Sequence, residues 1–273
     1  MIMSMPELNA HIRKIITVNP RLMIIQVEPD GWEIPDYKSG QYCAIGLPPT
    51  ASRNTLAEAP IKEENLNRLL NRTYSLSSSS RQKDYLEFYI TMVPTGSFTP
   101  CLFDLKVGDG IWVAPKILGR LTLEGVPDDA YVVLIGTGTG LGPYISMMRS
   151  DIMNPKRPGV AILHGVKQAA DLGYKDELEA LQTANPLFRY EPTISRPQNE
   201  TEPYAGRTGY VQAIWKDDTL SKAWNTTLTP QNTHIFLCGS PAMVDTMEQE
   251  LTSSNYQEAT PRNPGQIHIE RYW

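Results

Sequence analysis

The pattern of apolar and polar positions changes character near Gly125. Before it, short runs suited to strands are separated by turn residues; they are Ile12–Val18, Leu22–Val27, Gln41–Leu47, Tyr85–Val93 and Gly110–Ala114. The run Tyr85–Val93 alternates with a period of two, as a half-buried strand does. Asn19-Pro20-Arg21, between the first two runs, indicates a hairpin. Closely spaced short strands predict an antiparallel barrel or sandwich over residues 1–124.

After Gly125, apolar strand runs alternate with helical patterns. The strand runs are Val132–Ile135, Val160–His164, Phe188–Ile194, His234–Cys238 and Ile267–Ile269, and the helical segments lie around Tyr144–Met153, Lys175–Gln182, Val211–Trp215 and Met243–Leu251. This alternation predicts a parallel sheet with crossover helices over residues 125–273. Ligands of such sheets bind at the carboxyl ends of the strands, where the Gly136–Gly142, His164–Lys167, Ser195–Arg196 and Cys238–Pro241 loops are expected.

The segment Pro49–Asn71 does not follow the strand pattern. Leu66, Leu69 and Leu70 have the spacing of one helix face. We interpret residues 49–71 as an insertion carrying a short helix, more simply a solvated excursion than a partner site.

Composition narrows the class of protein. A chain of 273 residues suits two domains, and its hydrophobic fraction of 41% and charged fraction of 20% are those of a soluble globular protein. Residues 1–124 carry 13 basic and 13 acidic residues, whereas residues 125–273 carry 12 and 17. The net charge of −5 argues against a nucleic-acid binder.

Cysteine and histidine usage points to a reducing compartment without a metal site. The three cysteines are widely separated, and the four histidines lack metal-ligand spacing. The amino-terminal stretch has no signal-peptide core, and no stretch is long enough to span a membrane. We therefore expect a cytoplasmic protein that binds no metal.

Three short motifs offer chemistry for a phosphorylated, planar ligand. The glycine-rich stretch after Val132–Ile135 suits either a phosphate loop or a tight strand–helix turn. In Arg72-Thr73-Tyr74-Ser75, which we expect to open a strand, the arginine suits a phosphate, the tyrosine can stack on a ring, and the serine can donate to a ring nitrogen. Gly96-Ser97-Phe98-Thr99 could present backbone N–H groups to a diphosphate, or be a plain turn.

In their order along the chain, RTYS, GSFT, GTGTGLGP, CGSPAMV and the final Glu-Arg-Tyr-Trp resemble the ferredoxin–NADP⁺ reductase family, and most of all its bacterial branch. The resemblance implies an antiparallel Greek-key barrel that binds FAD, followed by a parallel, Rossmann-like α/β domain that binds NADP(H). It also implies electron exchange with a small ferredoxin or flavodoxin, and we expect the protein to be monomeric or weakly associating. A reductase component of an oxygenase, or a flavin reductase, remains open. A non-catalytic nucleotide-binding regulatory or electron-relay subunit is the alternative of another class.

The resemblance assigns residues to both cofactors. Those expected at FAD are Arg72, Thr73, Tyr74, Ser75, Thr91, Met92, Val93, Gly96, Ser97, Phe98, Thr99, Thr139, Tyr272 and Trp273. Those expected at NADP are Gly138, Gly140, Lys167, Ser195, Arg196, Arg207, Gly239 and Met243. The cations favour NADP because its 2′-phosphate needs positive charge, although Lys167 stands where the branch tends to have arginine.

Four residues are expected at the reacting atoms. The resemblance places Ser75 near flavin N5, Cys238 beside the nicotinamide, Glu270 where it orients nicotinamide or handles a proton, and Tyr272 on the flavin face. A single buried cysteine such as Cys238 is otherwise a core residue. No base accompanies it in the sequence, so a nucleophilic role is not predicted.

Overall fold

In the computed structural model, which describes residues 6–61, 65 and 67–271, the chain forms two compact units that meet in sequence between Arg120 and Leu121. Tyr272 and Trp273, together with their predicted flavin contacts, lie outside the described residues.

The first unit is an antiparallel barrel. Its elements are β1 (Ala10–Asn19), β2 (Leu22–Pro29), β3 (Tyr42–Leu47), β4 (Leu70–Ser75), β5 (Leu86–Thr91), α1 (Thr99–Leu102) and β6 (Gly110–Val113). The strand order β4-β3-β6-β1-β2-β5 places β6 between β3 and β1, so the chain crosses over as a Greek key does. A bridge between Leu76 and Phe88 brings the two outer strands together. The predicted antiparallel barrel is confirmed.

Local chemistry explains the strands of this barrel. The hairpin turns at Asn19, whose side-chain oxygen accepts the backbone N–H of Arg21 at 2.9 Å. Ile12, Ile45 and Phe88 are fully buried in its core. This apolar burial supplies most of the driving force for folding.

The start of β4 corrects two predictions. Arg72-Thr73-Tyr74-Ser75 does not open a strand but ends β4, which begins at Leu70. Leu70 is buried and pairs with Leu47, so its apolar character reflects a strand and the helix expected to include it was wrong there. Between residues 49 and 69, Lys62–Glu64 and Leu66 lie outside the described residues, and the rest contains turns and bends.

The second unit is a parallel α/β sheet. Its elements are β7 (Tyr131–Thr137), α2 (Gly142–Met148), β8 (Val160–Val166), α3 (Lys175–Ala184), β9 (Phe188–Ile194), α4 (Gln212–Lys216), α5 (Thr219–Trp224), β10 (Thr233–Cys238), α6 (Pro241–Ser253) and β11 (Ile267–Glu270). The strand order is β11-β10-β7-β8-β9, and every pairing is parallel. β8 is buried along its whole length, as a strand covered on both faces must be. The predicted parallel sheet is confirmed.

Candidate functional site

The structure joins two of the motifs in the first unit. Arg72, exposed in β4, donates from Nη2 to the Ser97 hydroxyl at 3.3 Å and from Nη1 to the carbonyl of Asn71 at 2.6 Å. Ser97 belongs to the Gly96–Thr99 turn, so the predicted arginine and the predicted diphosphate turn lie together. An exposed guanidinium beside a serine hydroxyl fits a phosphorylated ligand.

The Gly96–Thr99 turn is closed by its own side chains. The Thr99 hydroxyl accepts the N–H of Val93 at 2.9 Å, and the N–H of Gly96 donates to the carbonyl of Val93 at 2.9 Å. Phe98 is buried in the barrel core. Thr99 and Phe98 therefore shape the turn, and their side chains are turned toward protein.

Four more of the predicted flavin residues lie at the ends of β4 and β5. Tyr74 is half-buried, with its ring centroid 6.1 Å from that of Phe98, and burial raises the pKa of its hydroxyl above the ordinary value while Arg72 acts in the opposite direction. Ser75 is buried at the end of β4. At the end of β5, Met92 is buried while Val93 is exposed.

Two residues that contact the turn region were not predicted from sequence. Arg53 donates to the carbonyl of Gly96 at 3.0 Å, and the Asn54 N–H donates to the carbonyl of Pro100 at 2.9 Å. Their partners lie more than 40 residues away along the chain. Because a local pattern holds no information on such a contact, only the structure reveals it.

In the second unit, the glycine loop packs against the loop that follows β10. A Cβ built on Gly140 would lie 2.7 Å from the carbonyl carbon of Cys238, closer than real Cβ atoms approach. Gly239 has φ +145°, and the Ser240 N–H donates to the Thr137 hydroxyl at 2.7 Å. The missing side chain of Gly140 thus admits protein backbone, which is the tight-turn alternative left open by the sequence. A ligand role for Gly138 and Gly239 stays a prediction.

The register of the sheet aligns two predicted residues, Cys238 and Glu270, with Gly136 of the glycine loop. Cys238 pairs with Gly136 of β7 on one side and with Glu270 of β11 on the other. Cys238 is fully buried and Glu270 nearly so. Tyr144 donates to the carbonyls of Ile135 and Phe236, each at 3.0 Å. Burial raises its pKa well above the ordinary value, and nearby Cys238 and Glu270 raise it further. Gly136, Cys238 and Glu270 lie at or next to the carboxyl ends of β7, β10 and β11, and we call them the Cys238 row. This is the edge at which parallel sheets bind ligands.

His164 holds the glycine loop from within the sheet. Its Nε2 lies 3.1 Å from the carbonyl of Gly138, and its Nδ1 lies 3.2 Å from the Tyr190 hydroxyl. A carbonyl can only accept, so Nε2 carries the proton. Burial lowers the pKa of His164 to about 4, although the Gly138 carbonyl acts in the opposite direction. The imidazole is therefore neutral at pH 7.

This buried histidine predicts a pH dependence of stability. The pKa of His164 is about 4 in the folded protein and 6.5 in the unfolded chain, so between these pH values the unfolded chain binds more protons. The free energy of unfolding therefore falls as the pH falls through that window. From pH 7 to pH 5 we expect His164 to reduce the free energy of unfolding of the second unit by about 2 kcal/mol. Thermal denaturation at the two pH values measures the loss.

The matched variant is His164→Gln, whose amide nitrogen can replace Nε2 toward Gly138 but does not titrate. Its stability is expected to change less between pH 7 and pH 5 than that of the wild type. His268, whose pKa burial lowers to about 4, keeps part of the dependence in both proteins. An identical pH dependence in the variant would contradict the assignment to His164.

Backbone hydrogen bonds bring the predicted 2′-phosphate residues to one edge of the sheet. The N–H of Ser195 donates to the carbonyl of Val166, and that of Arg196 to the carbonyl of Lys167, both at 2.9 Å. The N–H of Ile194 donates to the carbonyl of Arg207 at 3.2 Å. Lys167, Arg196 and Arg207 thus lie on adjoining segments at the ends of β8 and β9, and this concentration of cations fits a phosphate.

Arg207 is already engaged by protein. Its Nη1 forms a short ion pair with Asp217, its Nη2 donates to the Thr219 hydroxyl at 3.1 Å, and the Glu191 carboxylate lies 3.8 Å away. Burial would raise the pKa of Asp217, but hydrogen bonds from Thr219 and Arg207 hold it below its ordinary value. Arg207 therefore lies against two carboxylates, those of Asp217 and Glu191. No local pattern in the sequence indicates Asp217 as the partner of Arg207.

Two remaining predictions can be placed. Met243 lies in the first turn of α6 and is buried in the core of the second unit, and its backbone N–H donates to the hydroxyl of Ser240, which caps that helix. Thr139 lies half-buried in the turn after β7.

In the described part of the chain, no group of three potential ligand side chains could hold a metal ion. Over the same residues, no helix combines the length and apolarity needed to cross a membrane.

Comparison with known proteins agrees with this geometry. Residues 134–249 match the family described as oxidoreductase NAD-binding domain. The flavodoxin/ferredoxin–NADP reductase of Shigella flexneri is 31% identical over 83% of this chain and 89% of its own. That of Buchnera aphidicola subsp. Baizongia pistaciae is 30% identical over 76% and 82%.

The fold has a solved counterpart. A ferredoxin NADP⁺ reductase from Neisseria gonorrhoeae, crystallised with FAD and NADP, superposes with a TM-score of 0.80 at 24% identity, covering 97% of this chain and 98% of its own. That likeness concerns the two-unit fold. The sequence identities, over more than three quarters of the chain, establish the relationship: the chain belongs to the flavodoxin/ferredoxin–NADP reductase family.

Proposed function

We propose that the protein is an FAD-dependent ferredoxin (flavodoxin)–NADP⁺ reductase that uses NADP(H). The observation that carries the coenzyme assignment is the convergence of Lys167, Arg196 and Arg207 at the carboxyl edge of the parallel sheet. Three cations there suit a 2′-phosphate. An NAD enzyme would instead offer a carboxylate to the ribose, whereas Asp217 is bonded to Arg207.

Each unit contributes residues toward its own cofactor. In the first, Arg72 and the Gly96–Thr99 turn would hold the FAD diphosphate, Tyr74 would pack on the ring system, and Ser75 would donate toward N5. Bound FAD supplies hydride chemistry at N5 and single-electron exchange with a ferredoxin or flavodoxin.

In the second unit, the glycine loop and the Cys238 row would receive NADP(H). Cys238 and Glu270, aligned at the ends of β10 and β11, would position the nicotinamide. Cys238 acts by shape rather than as a nucleophile, since hydride transfer needs no covalent protein intermediate. The proposal includes a monomer. It also includes a cytoplasmic location, which three buried cysteines that form no disulfide support.

The test is an anaerobic titration of the purified protein with NADPH and, separately, NADH, followed by visible absorbance. The sample is first passed through size-exclusion chromatography with light scattering to measure its mass. We expect a flavin band that NADPH bleaches at far lower concentration than NADH. A colourless protein that takes up no FAD, or a flavin that ignores both coenzymes, would overturn the proposal and favour a non-catalytic subunit. Reoxidation by ferredoxin, flavodoxin or free flavin then identifies the acceptor class.

A further inference from the structure

The connection between β3 and β4 carries residues 51–61, here called the strap, along the Gly96–Thr99 turn. Three backbone hydrogen bonds hold the strap to this region. The N–H of Asn54 donates to the carbonyl of Pro100 at 2.9 Å, that of Glu58 to the carbonyl of Pro94 at 3.0 Å, and that of Ile61 to the carbonyl of Thr95 at 3.3 Å. The side-chain amide of Asn54 also donates to the carbonyl of Phe103 at 3.0 Å. The strap is thus fastened both before and after the turn.

Arg53 is the side chain through which the strap reaches the turn itself. Its Nη1 donates to the carbonyl of Gly96 at 3.0 Å and lies 3.5 Å from that of Ser97, while Nη2 donates to the carbonyl of Glu58 at 2.7 Å. The residue is half-buried. One guanidinium therefore ties two successive peptide groups of the turn to the strap.

This contact fixes the direction of the peptide N–H groups. In a planar trans peptide the C=O and the following N–H point in opposite directions. Because the carbonyls of Gly96 and Ser97 point toward Arg53, the N–H groups of Ser97 and Phe98 point away from the strap. On its hydroxyl side, Ser97 receives the Arg72 guanidinium at 3.3 Å. The turn thus contacts two cations, Arg53 of the strap and Arg72 of β4.

We propose that Arg53 is a positioning residue for the FAD diphosphate, and that the strap exists to hold the turn in its binding conformation. This inference rests on the proposed function, which makes the turn part of the FAD site. Arg53 is not proposed to contact FAD. It orients the N–H groups of Ser97 and Phe98 and adds positive charge next to the turn. It gives a role to part of the segment that its sequence predicts as a solvated insertion carrying a short helix.

The test measures FAD affinity in the apo-protein. Apo wild type, Arg53→Ala, Arg53→Lys and Ser52→Ala are titrated with FAD, and Kd is read from quenching of flavin fluorescence. Without Arg53, FAD binding must itself order the turn, so Arg53→Ala is expected to raise Kd about tenfold. Arg53→Lys, which keeps the charge but not the fork, is expected to fall between. Ser52→Ala is the matched control, because its hydroxyl binds Asp104 and not the turn.

Two further readouts separate positioning from general loss of structure. The slope of log Kd against log salt is expected to be shallower in Arg53→Ala than in wild type and to be kept in Arg53→Lys, because only the alanine loses a cation. NADP⁺ affinity, which belongs to the second unit, is expected to stay unchanged. If Arg53→Ala matches Ser52→Ala in both Kd and salt slope, the strap does not position the turn. If apo wild type itself takes up no FAD, the proposed function fails first.

Discussion

Replacing Arg196 and Arg207 together by alanine is expected to raise KM for NADPH about 100-fold or more, because each lost charge-assisted hydrogen bond to the 2′-phosphate is worth about 1.5–3 kcal/mol. The KM for NADH is expected to change less than about threefold. NADH has no group at that position, so it gains nothing from either arginine. The measurement is steady-state kinetics with both coenzymes at one ionic strength.

The control for this variant is Arg262→Ala, which removes the same charge ahead of β11, at the amino edge of the sheet. It is expected to leave both KM values near those of the wild type. The single variants matter too, because Arg207→Ala also strands Asp217 and Glu191 without their partner. The Tm of each variant therefore accompanies its kinetics. Equal losses for NADPH and NADH in the double variant would contradict the 2′-phosphate assignment.

Gly140→Ala is expected to destabilise the second unit by about 3 kcal/mol or more, since the new Cβ meets backbone that cannot rotate away. The obstacle is the Cys238–Gly239 peptide, whose carbonyl carbon lies 2.7 Å and whose following Cα lies 2.9 Å from the position of that Cβ. Relief requires the loop after β10 to move. Thermal denaturation measures the loss, and NADP⁺ affinity is expected to fall with it.

The matched control is Gly125→Ala. Gly125 has φ +79° but no atom within 4 Å of a built Cβ, so alanine there meets backbone strain without a clash. Its expected cost is only about 1–2 kcal/mol, the price of a left-handed conformation for a residue with a Cβ. If Gly140→Ala were no more destabilising than Gly125→Ala, the packing of the two loops would be looser than described.

The parts of the fold that sequence predicted are those governed by local burial. β8 is covered on both faces and therefore begins as the apolar run Val160–Leu163. The alternation in Tyr85–Val93 correctly predicted a strand, but the expectation that it is half-buried was wrong: Glu87 and Tyr89 are buried as well as Leu86, Phe88 and Ile90, and the Glu87 carboxylate accepts a hydrogen bond from Gln26 at 2.9 Å. Leu70 was misassigned to a helix because neighbouring leucines fit either a helix face or the start of a strand. Its pairing with Leu47 decided between them.

The parts of the site that sequence could not predict depend on distant partners. A glycine marks a position without room for a side chain, but the sequence does not say whether a ligand or the chain itself fills that room. At Gly140 the carbonyl of Cys238 does. In the same way, Arg207 is visible as a cation whereas its engagement by Asp217 and Thr219 is not.

The contact between Gly140 and the Cys238–Gly239 peptide also limits which loops can be exchanged between this chain and its relatives in chimeric proteins. Because each loop supplies the space that the other occupies, residues 136–142 and 238–240 form one module although about 100 positions separate them. A chimera that imports only one of the two loops would join halves shaped for different partners. Recombination within this family should therefore keep or exchange both loops together.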